Sequence, residues 1–116
     1  MKFIDKENRP WGTFYVLAED KKYKIKRIHV NPGKRMSYQF HNKRSELWLI
    51  IEGEASITIN GKIDQFQRGD LIKIPLKAKH RVENTGKSDL IFIEVQTGEY
   101  FGEDDIIRID DDFNRI

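Results

Sequence analysis

The stretch GKRMSYQFHNKRSELWLIIEG, residues 33–53, carries three side chains able to bind a metal ion, Gln39, His41 and Glu46, within a run otherwise rich in strand-forming residues. In an extended strand, side chains two apart share a face. Ser37, Gln39 and His41 therefore point one way and Met36, Tyr38 and Phe40 the other. If the polar face turns inward, an amide and an imidazole without partners would cost several kcal/mol (roughly 2–7 kcal/mol each), so it calls for a polar network or a metal ion. If it turns outward, the two are ordinary surface residues, and the residues alone leave both options open. After the turn NKRS, Glu46 opens the next strand, and a hairpin return would set its carboxylate opposite His41.

The elements that must position these groups read as strands. FYVLAE, YKIKRIHV, RMSYQFH, LWLIIEG, ASITING, DLIKIPL, HRVEN and DLIFIEVQT are short, β-rich and separated by turn signals, and no helical period is sustained. NPG at 31–33, RGD at 68–70 and NTGKSD at 84–89 supply turn residues, and Asn60-Gly61 suits a tight hairpin. Many short strands at this spacing predict an all-β sandwich or barrel. The end of the chain, GEDDIIRIDDDFNRI, sets Ile106, Ile107, Ile109 and Phe113 among acids, which predicts a segment packed on the barrel.

Composition limits the alternatives. A chain of 116 residues is expected to form one domain, residues 1–116, around one core. With 21 Lys+Arg against 19 Asp+Glu the formal charge is +2, so no global field points to nucleic acid or an anionic membrane. The absence of cysteine removes disulfides and thiolate-based zinc sites. No apolar run reaches signal-peptide or membrane-spanning length, and a soluble cytoplasmic protein is the expectation.

A second segment, GDLIKIPLKAKHRVEN, runs from Gly69 through Pro75 to His80 and Asn84. Together the two segments resemble the cupin superfamily. Gly33, Gln39, His41, Glu46 and Gly53 occupy the places of its first motif, and Gly69, Pro75, His80 and Asn84 those of its second. Gln39 stands where the first histidine is usual, and Lys77 where the second motif has a glycine. The resemblance implies a cupin jelly-roll barrel, a double-stranded β-helix. It also implies a divalent metal ion held by Gln39, His41, Glu46 and His80, zinc first, with manganese, cobalt or nickel also compatible.

RPWGTFYV, the two motif segments and LIFIEVQTGEYFGEDDIIRIDDDFNR narrow the resemblance to the type II mannose-6-phosphate isomerase domain, over Arg9 to Arg115. In many bacteria that domain is fused behind a mannose-1-phosphate guanylyltransferase, of which this sequence has none. A Gln at the first ligand position is usual there. Tyr38, Leu47, Phe113 and Asn114 depart from the family's usual Leu, His, Tyr and Gly. The resemblance implies a sugar-phosphate substrate and a homodimer, with the RPWG region crossing to the partner subunit.

Isomerisation also needs a proton-transfer group and a cation for the phosphate. LIFIEVQTG alternates, so Glu94 and Gln96 project together. Glu94 is a candidate base or a partner of a histidine ligand, the alternative being an ion pair with Lys26. Arg44 matches an arginine in the family's pattern and can grip phosphate with its planar fork. Lys26, Arg35, Lys79 and Arg81 are further candidates. Arg115 matches the family's terminal arginine and would close over the pocket, whereas Arg108 is expected to pair with the local acids. His29 and Trp48 read as structural residues. The preferred function is metal-dependent interconversion of mannose 6-phosphate and fructose 6-phosphate, or of a related sugar phosphate. A non-catalytic sugar-binding cupin and a metal-dependent cupin dioxygenase are the alternatives.

Overall fold

The computed structural model describes residues 1–115, so Ile116, the last residue of the expected domain, lies outside it. The strands, in chain order, are β1 (Asp5–Arg9), β2 (Gly12–Glu19), β3 (Tyr23–Val30), β4 (Tyr38–Phe40), β5 (Arg44–Glu52), β6 (Glu54–Ile59), β7 (Lys62–Gln67), β8 (Leu71–Ile74), β9 (His80–Asn84), β10 (Leu90–Gly98) and β11 (Ile107–Asp110). They form two sheets, β1-β2-β3-β10-β5-β8 and β11-β4-β9-β6-β7, and every pairing is antiparallel. This is the all-β sandwich the turn spacing predicts.

Strict alternation builds the interior. Trp48 and Ile50 of β5 face inward beside Leu90 and Phe92 of β10, with Phe92 and Ile50 as register partners. Ile57 of β6 and Val82 of β9 are paired on the facing sheet and also buried. Removing each such side chain from water contributes about 1.5–3 kcal/mol. Toward one end of the same strands the inward positions turn polar. Glu46 and Gln96 are register partners, followed on β5 by Arg44, and Gln39 of β4 pairs with His80 of β9.

Backbone conformation supports both motif segments. Gly53 has φ +93°, and a Cβ there would lie 2.7 Å from the Asp89 carbonyl oxygen, so only glycine fits. Lys77, at the place of the second motif's glycine, takes φ +65° and donates its N–H to the His41 carbonyl at 3.0 Å.

Three strands lie outside the segments read as strands. β1 pairs along the outer edge of β2. β7 returns from the Asn60-Gly61 turn, but only Phe66 on it is half-buried, so no alternation marks it. β11 packs the C-terminal segment onto β4, as expected, though Ile107 and Ile109 face outward. Phe101, Asp105, Asp111 and the half-buried Phe113 hold that segment instead.

Candidate metal centre and its cavity

His41, Glu46 and His80 are buried and converge, with one ligand atom from each lying within 4.8 Å of the others. His41 Nε2 stands 3.2 Å from Glu46 Oε2, and His80 Nε2 stands 3.9 Å from Glu46 Oε1. The contact does not come from a hairpin. β4 and β5 belong to different sheets, and the Glu46 carboxylate meets His41 across the interior of the sandwich. The expected hairpin return is corrected because β5 finds its hydrogen-bond partners in β10 and β8.

The hydrogen bonds behind each ligand define the free atoms. His41 Nδ1 donates to the Asp105 carbonyl at 3.0 Å, and His80 Nδ1 to the Ala78 carbonyl at 2.9 Å. A carbonyl oxygen only accepts, so each Nδ1 carries a proton and each Nε2 is turned to the site, where that of His41 also lies 3.4 Å from Arg44 Nη2. Lone pairs of His41 Nε2 and the Glu46 carboxylate facing each other at 3.2 Å repel unless a cation or a proton lies between them. His80 Nε2, buried, has no partner. Two neutral imidazoles and one carboxylate are a donor set for a divalent ion with open positions, and the tethered Nδ1 atoms are the outer hydrogen bonds that metal-binding histidines use. These three residues can hold a metal ion.

Neighbouring groups set the charge of the site. Glu46 Oε1 accepts from Trp48 Nε1 at 3.0 Å and Oε2 from Arg44 Nε at 3.0 Å. Burial by itself would raise the Glu46 carboxyl, but His41, His80 and Arg44 hold it well below the ordinary carboxylate range. Burial lowers the pKa of His80 and favours the neutral ring that ligation requires. Glu94 behaves oppositely. Burial first, and the negative charge of Glu46 second, push its carboxyl up to about 8 against the pull of Lys26. Its Oε2 accepts from Gln96 Nε2 at 2.7 Å.

Arg44 and Glu94 open onto a cavity of about 70 Å³, while His41, Glu46 and His80 lie behind its wall, linked to it by the Arg44–Glu46 contact. Gln39, Arg44 and Glu94 line its buried part, and Trp11, Phe14 and Ile28 its apolar wall. Gln39 reaches the cavity with Oε1 accepting from Ser37 Oγ at 2.6 Å, so one lone pair of that oxygen is engaged. Lys26 is buried there, 3.0 Å from Glu103 and 4.2 Å above the Phe14 ring, so the alternative reading of Glu94 as its ion-pair partner does not hold. Arg115 lines the cavity while its guanidinium binds Asp111 at 2.7 and 2.9 Å, which draws that carboxyl down to about 2.

Several basic residues take other places than expected. Arg35 binds Asp112 at 2.7 Å, Arg81 binds Asp110 at 3.0 Å, and Lys79 is exposed, so none of them lines the cavity. Arg108 was expected to pair with the local acids and instead turns into the cavity. The acids around it are engaged elsewhere: Asp110 by Arg81, Asp111 by Arg115 and Asp112 by Arg35. His29 stays on the outer side as a structural residue, its Nε2 accepting from Arg27 Nε at 3.0 Å. Trp48 packs in the core on Phe92, and its indole N–H also fixes Glu46.

Two contributors left no sequence signal. Asp105 accepts from the N–H groups of Asn42 and Lys43 at 3.1 and 3.0 Å while its carbonyl orients His41. Nothing local distinguishes it from the acids beside it. Arg9 joins the cavity wall from β1, a strand not read as one.

Comparison with known proteins agrees with this geometry. Mannose-1-phosphate guanylyltransferase ManC of Salmonella typhimurium is 42% identical over 108 residues, which are 93% of this chain and 22% of that protein. The chain thus spans less than a quarter of the length of this curated relative. Among solved structures, oxalate decarboxylase OxdC of Bacillus subtilis superposes with a TM-score of 0.78 at 21% identity, covering 91% of this chain and 30% of that one. Capsular polysaccharide assembling protein CapF of Staphylococcus aureus gives 0.77 at 18% identity, covering 90% and 34%. At such identities the two structures show the fold alone, the cupin double-stranded β-helix. The family profile described as mannose-6-phosphate isomerase C-terminal matches residues 1–111, and the chain belongs to that family of cupins.

Proposed function

We propose that the chain is a metal-dependent isomerase that interconverts mannose 6-phosphate and fructose 6-phosphate, or a closely related pair of sugar phosphates. The observation that carries this reading is the convergence of His41 and His80 on the Glu46 carboxylate, joined through Arg44 to a cavity whose wall holds the buried, readily protonated Glu94. A divalent ion held by His41, Glu46 and His80, with Gln39 as a further oxygen donor, would supply a Lewis acid that polarises the sugar carbonyl; zinc suits the donors, as do manganese, cobalt and nickel.

The chain's own residues supply the rest. Aldose–ketose interconversion moves one proton between adjacent carbons and another between their oxygens. Glu94, buried on the cavity wall, is the group that takes and returns the carbon-bound proton. Arg44 is fixed through its Nε to Glu46, and its Nη1, buried without a partner, can donate to the sugar oxygen on which charge builds. Lys26, locked onto Glu103, balances the acids. Arg115 secures the C-terminal segment through Asp111. Trp11, Phe14 and Ile28 keep water from the reacting carbons.

A homodimer and a cytoplasmic setting belong to the same reading. On the outer face of β5 and β8, Leu47, Leu49, Ile51 and Leu71 are each more than a third exposed, a surface a second copy would cover. Among the described residues no helix is long and apolar enough to cross a membrane. The deciding experiment is a coupled assay of mannose 6-phosphate conversion by the metal-loaded chain, before and after chelation. Turnover lost on chelation and restored by a divalent ion is expected. Tight binding of mannose 6-phosphate without turnover under any of the four ions would replace this reading with a binding protein.

A further inference from the structure

In β11 the usual strand pattern is inverted. Ile107 and Ile109, each about 40% exposed, face outward, and the charged residue between them, Arg108, faces the cavity. Its Nε is buried without a hydrogen-bond partner, and among the described residues no carboxylate lies within ion-pair distance of its guanidinium. Leaving such a donor dry and unpaired costs about 1–3 kcal/mol, more when the group is charged. A protein keeps that cost where a ligand removes it.

Other cations crowd the same place. Arg9 and Arg115 line the cavity with Arg108. Burial, then the charge of Arg115, lower the Arg108 pKa against the pull of Asp111 and Glu103, and those two carboxylates are already paired with Arg115 and Lys26. Arg44, the arginine whose sequence position suggested a phosphate grip, is held by Glu46 beside the metal ligands. Arg115 already has both Nε and Nη2 on Asp111. Arg108 is the guanidinium left for an incoming anion.

Position gives it a direction. Arg108 is the register partner of Gln39, and Gln39 that of His80, so Arg108 lies beside the strand that leads into His41 and two strands from His80. At about 4.8 Å per strand that is roughly 10 Å between backbones. We propose that Arg108 binds the phosphate group of the substrate and thereby selects a phosphorylated sugar over a neutral one, with the reacting carbons directed to Glu94 and the phosphate to β11. This deepens the isomerase reading and rests on it for the sugar, although the anion site itself stands apart from turnover. The planar fork of Arg108 matches two phosphate oxygens, and Arg9 adds charge from the facing strand.

Two measurements on the metal-loaded chain separate the claims. Titration with inorganic phosphate, followed by calorimetry, reads the anion site without any reaction. Binding is expected for the wild-type chain, with at least a tenfold loss in Arg108→Gln, partial recovery in Arg108→Lys, and none of this loss in Arg81→Gln, which removes the same charge outside the cavity. In the isomerase assay, Arg108→Gln is expected to raise KM for mannose 6-phosphate about 100-fold with kcat within about threefold. Equal phosphate binding by wild type and Arg108→Gln, or no binding by wild type, overturns the proposal. Absence of turnover with the binding difference intact overturns the isomerase reading and leaves the anion site standing. Circular dichroism confirms the fold of each variant, and Arg108→Lys, which keeps the charge, serves if Arg108→Gln fails to fold.

Discussion

The two ends of the sandwich bury polar groups on opposite terms. At one end Asn84 is completely buried and fully served: Nδ2 donates to the Val30 and Ser88 carbonyls at 2.8 Å each, and Oδ1 accepts from the Gly86 N–H at 2.9 Å. At the other end lie all the buried side-chain atoms without a partner among the described residues: Arg44 Nη1, His80 Nε2, Gln96 Oε1 and Arg108 Nε. Both ends grow from the same strands, because β9 carries His80 at its start and Asn84 at its close. A buried polar group whose bonds are all internal holds the fold together. A cluster of groups with bonds left open is shaped for something that arrives from outside.

The comparison breaks most visibly at His80. Replacing it with an apolar residue of similar size, His80→Leu, removes a ligand lone pair that no protein group uses. Metal content should fall to background and turnover by roughly 10²–10³-fold or more, while the melting temperature of the metal-free protein changes little, because removing the unpartnered Nε2 offsets the loss of the Nδ1 donor to the Ala78 carbonyl. Metal analysis beside a thermal melt reads both. A variant that keeps its metal would show that His80 belongs with Asn84 as a structural residue.

Asn84→Ala should do the reverse. It removes a donor from the buried Val30 carbonyl and unties the turn at Gly86 and Ser88, and a loss of about 1–3 kcal/mol is expected in denaturant unfolding. Turnover and metal content per folded molecule should not change. If they fell in step with stability, the two ends would be one energetic unit and the contrast would be lost.

How much of each end could be read from the sequence follows the same division. The alternation in β5, β9 and β10 made the strands legible, since hydrophobic periodicity and turn chemistry are local, whereas the convergence of His41, Glu46 and His80 was implied by the resemblance of the two motif segments to cupins. Arg108 was not legible. A pattern of Ile-Arg-Ile predicts that the isoleucines turn inward, and the cavity reverses it. Glu46 was placed near His41 for the wrong reason, a hairpin, because pairing across a sandwich depends on which strand β5 joins and no local feature states that. Asp105 orients His41 from more than sixty positions away, and only the folded chain joins them. Local rules failed where function or long-range packing decided the outcome.

The C-terminal segment is held to the site end by charge, which gives that end a weakness to acid. Asp111 has its carboxyl drawn from 3.8 to about 2 by Arg115. A depressed carboxyl contributes its stabilisation above the unfolded pKa and loses it as pH falls through the folded one, so the loss should run from about pH 4 down to about pH 2. Hydrogen exchange in this window should show β11 losing protection before β6 and β9. Asp111→Asn should weaken the segment by about 1–3 kcal/mol at neutral pH and flatten the acid dependence between it and wild type. Equal acid response of the two chains would remove Asp111 as the anchor.

The smallest effect sharpens the comparison at the loop between β8 and β9, which lies on the site end. Lys77 holds φ +65°, a conformation that costs a residue with a Cβ about 1–2 kcal/mol, and its N–H supports the His41 carbonyl. Glycine relieves that strain but adds about 0.5–1 kcal/mol of chain entropy to the unfolded state. Lys77→Gly should therefore raise stability by less than about 1 kcal/mol, a few degrees in a thermal melt. Because the backbone donor to His41 is retained, metal affinity should stay the same. A fall in affinity would mean that the Lys77 side chain itself acts on the metal centre, and that the open end extends one loop further than its unpartnered atoms indicate.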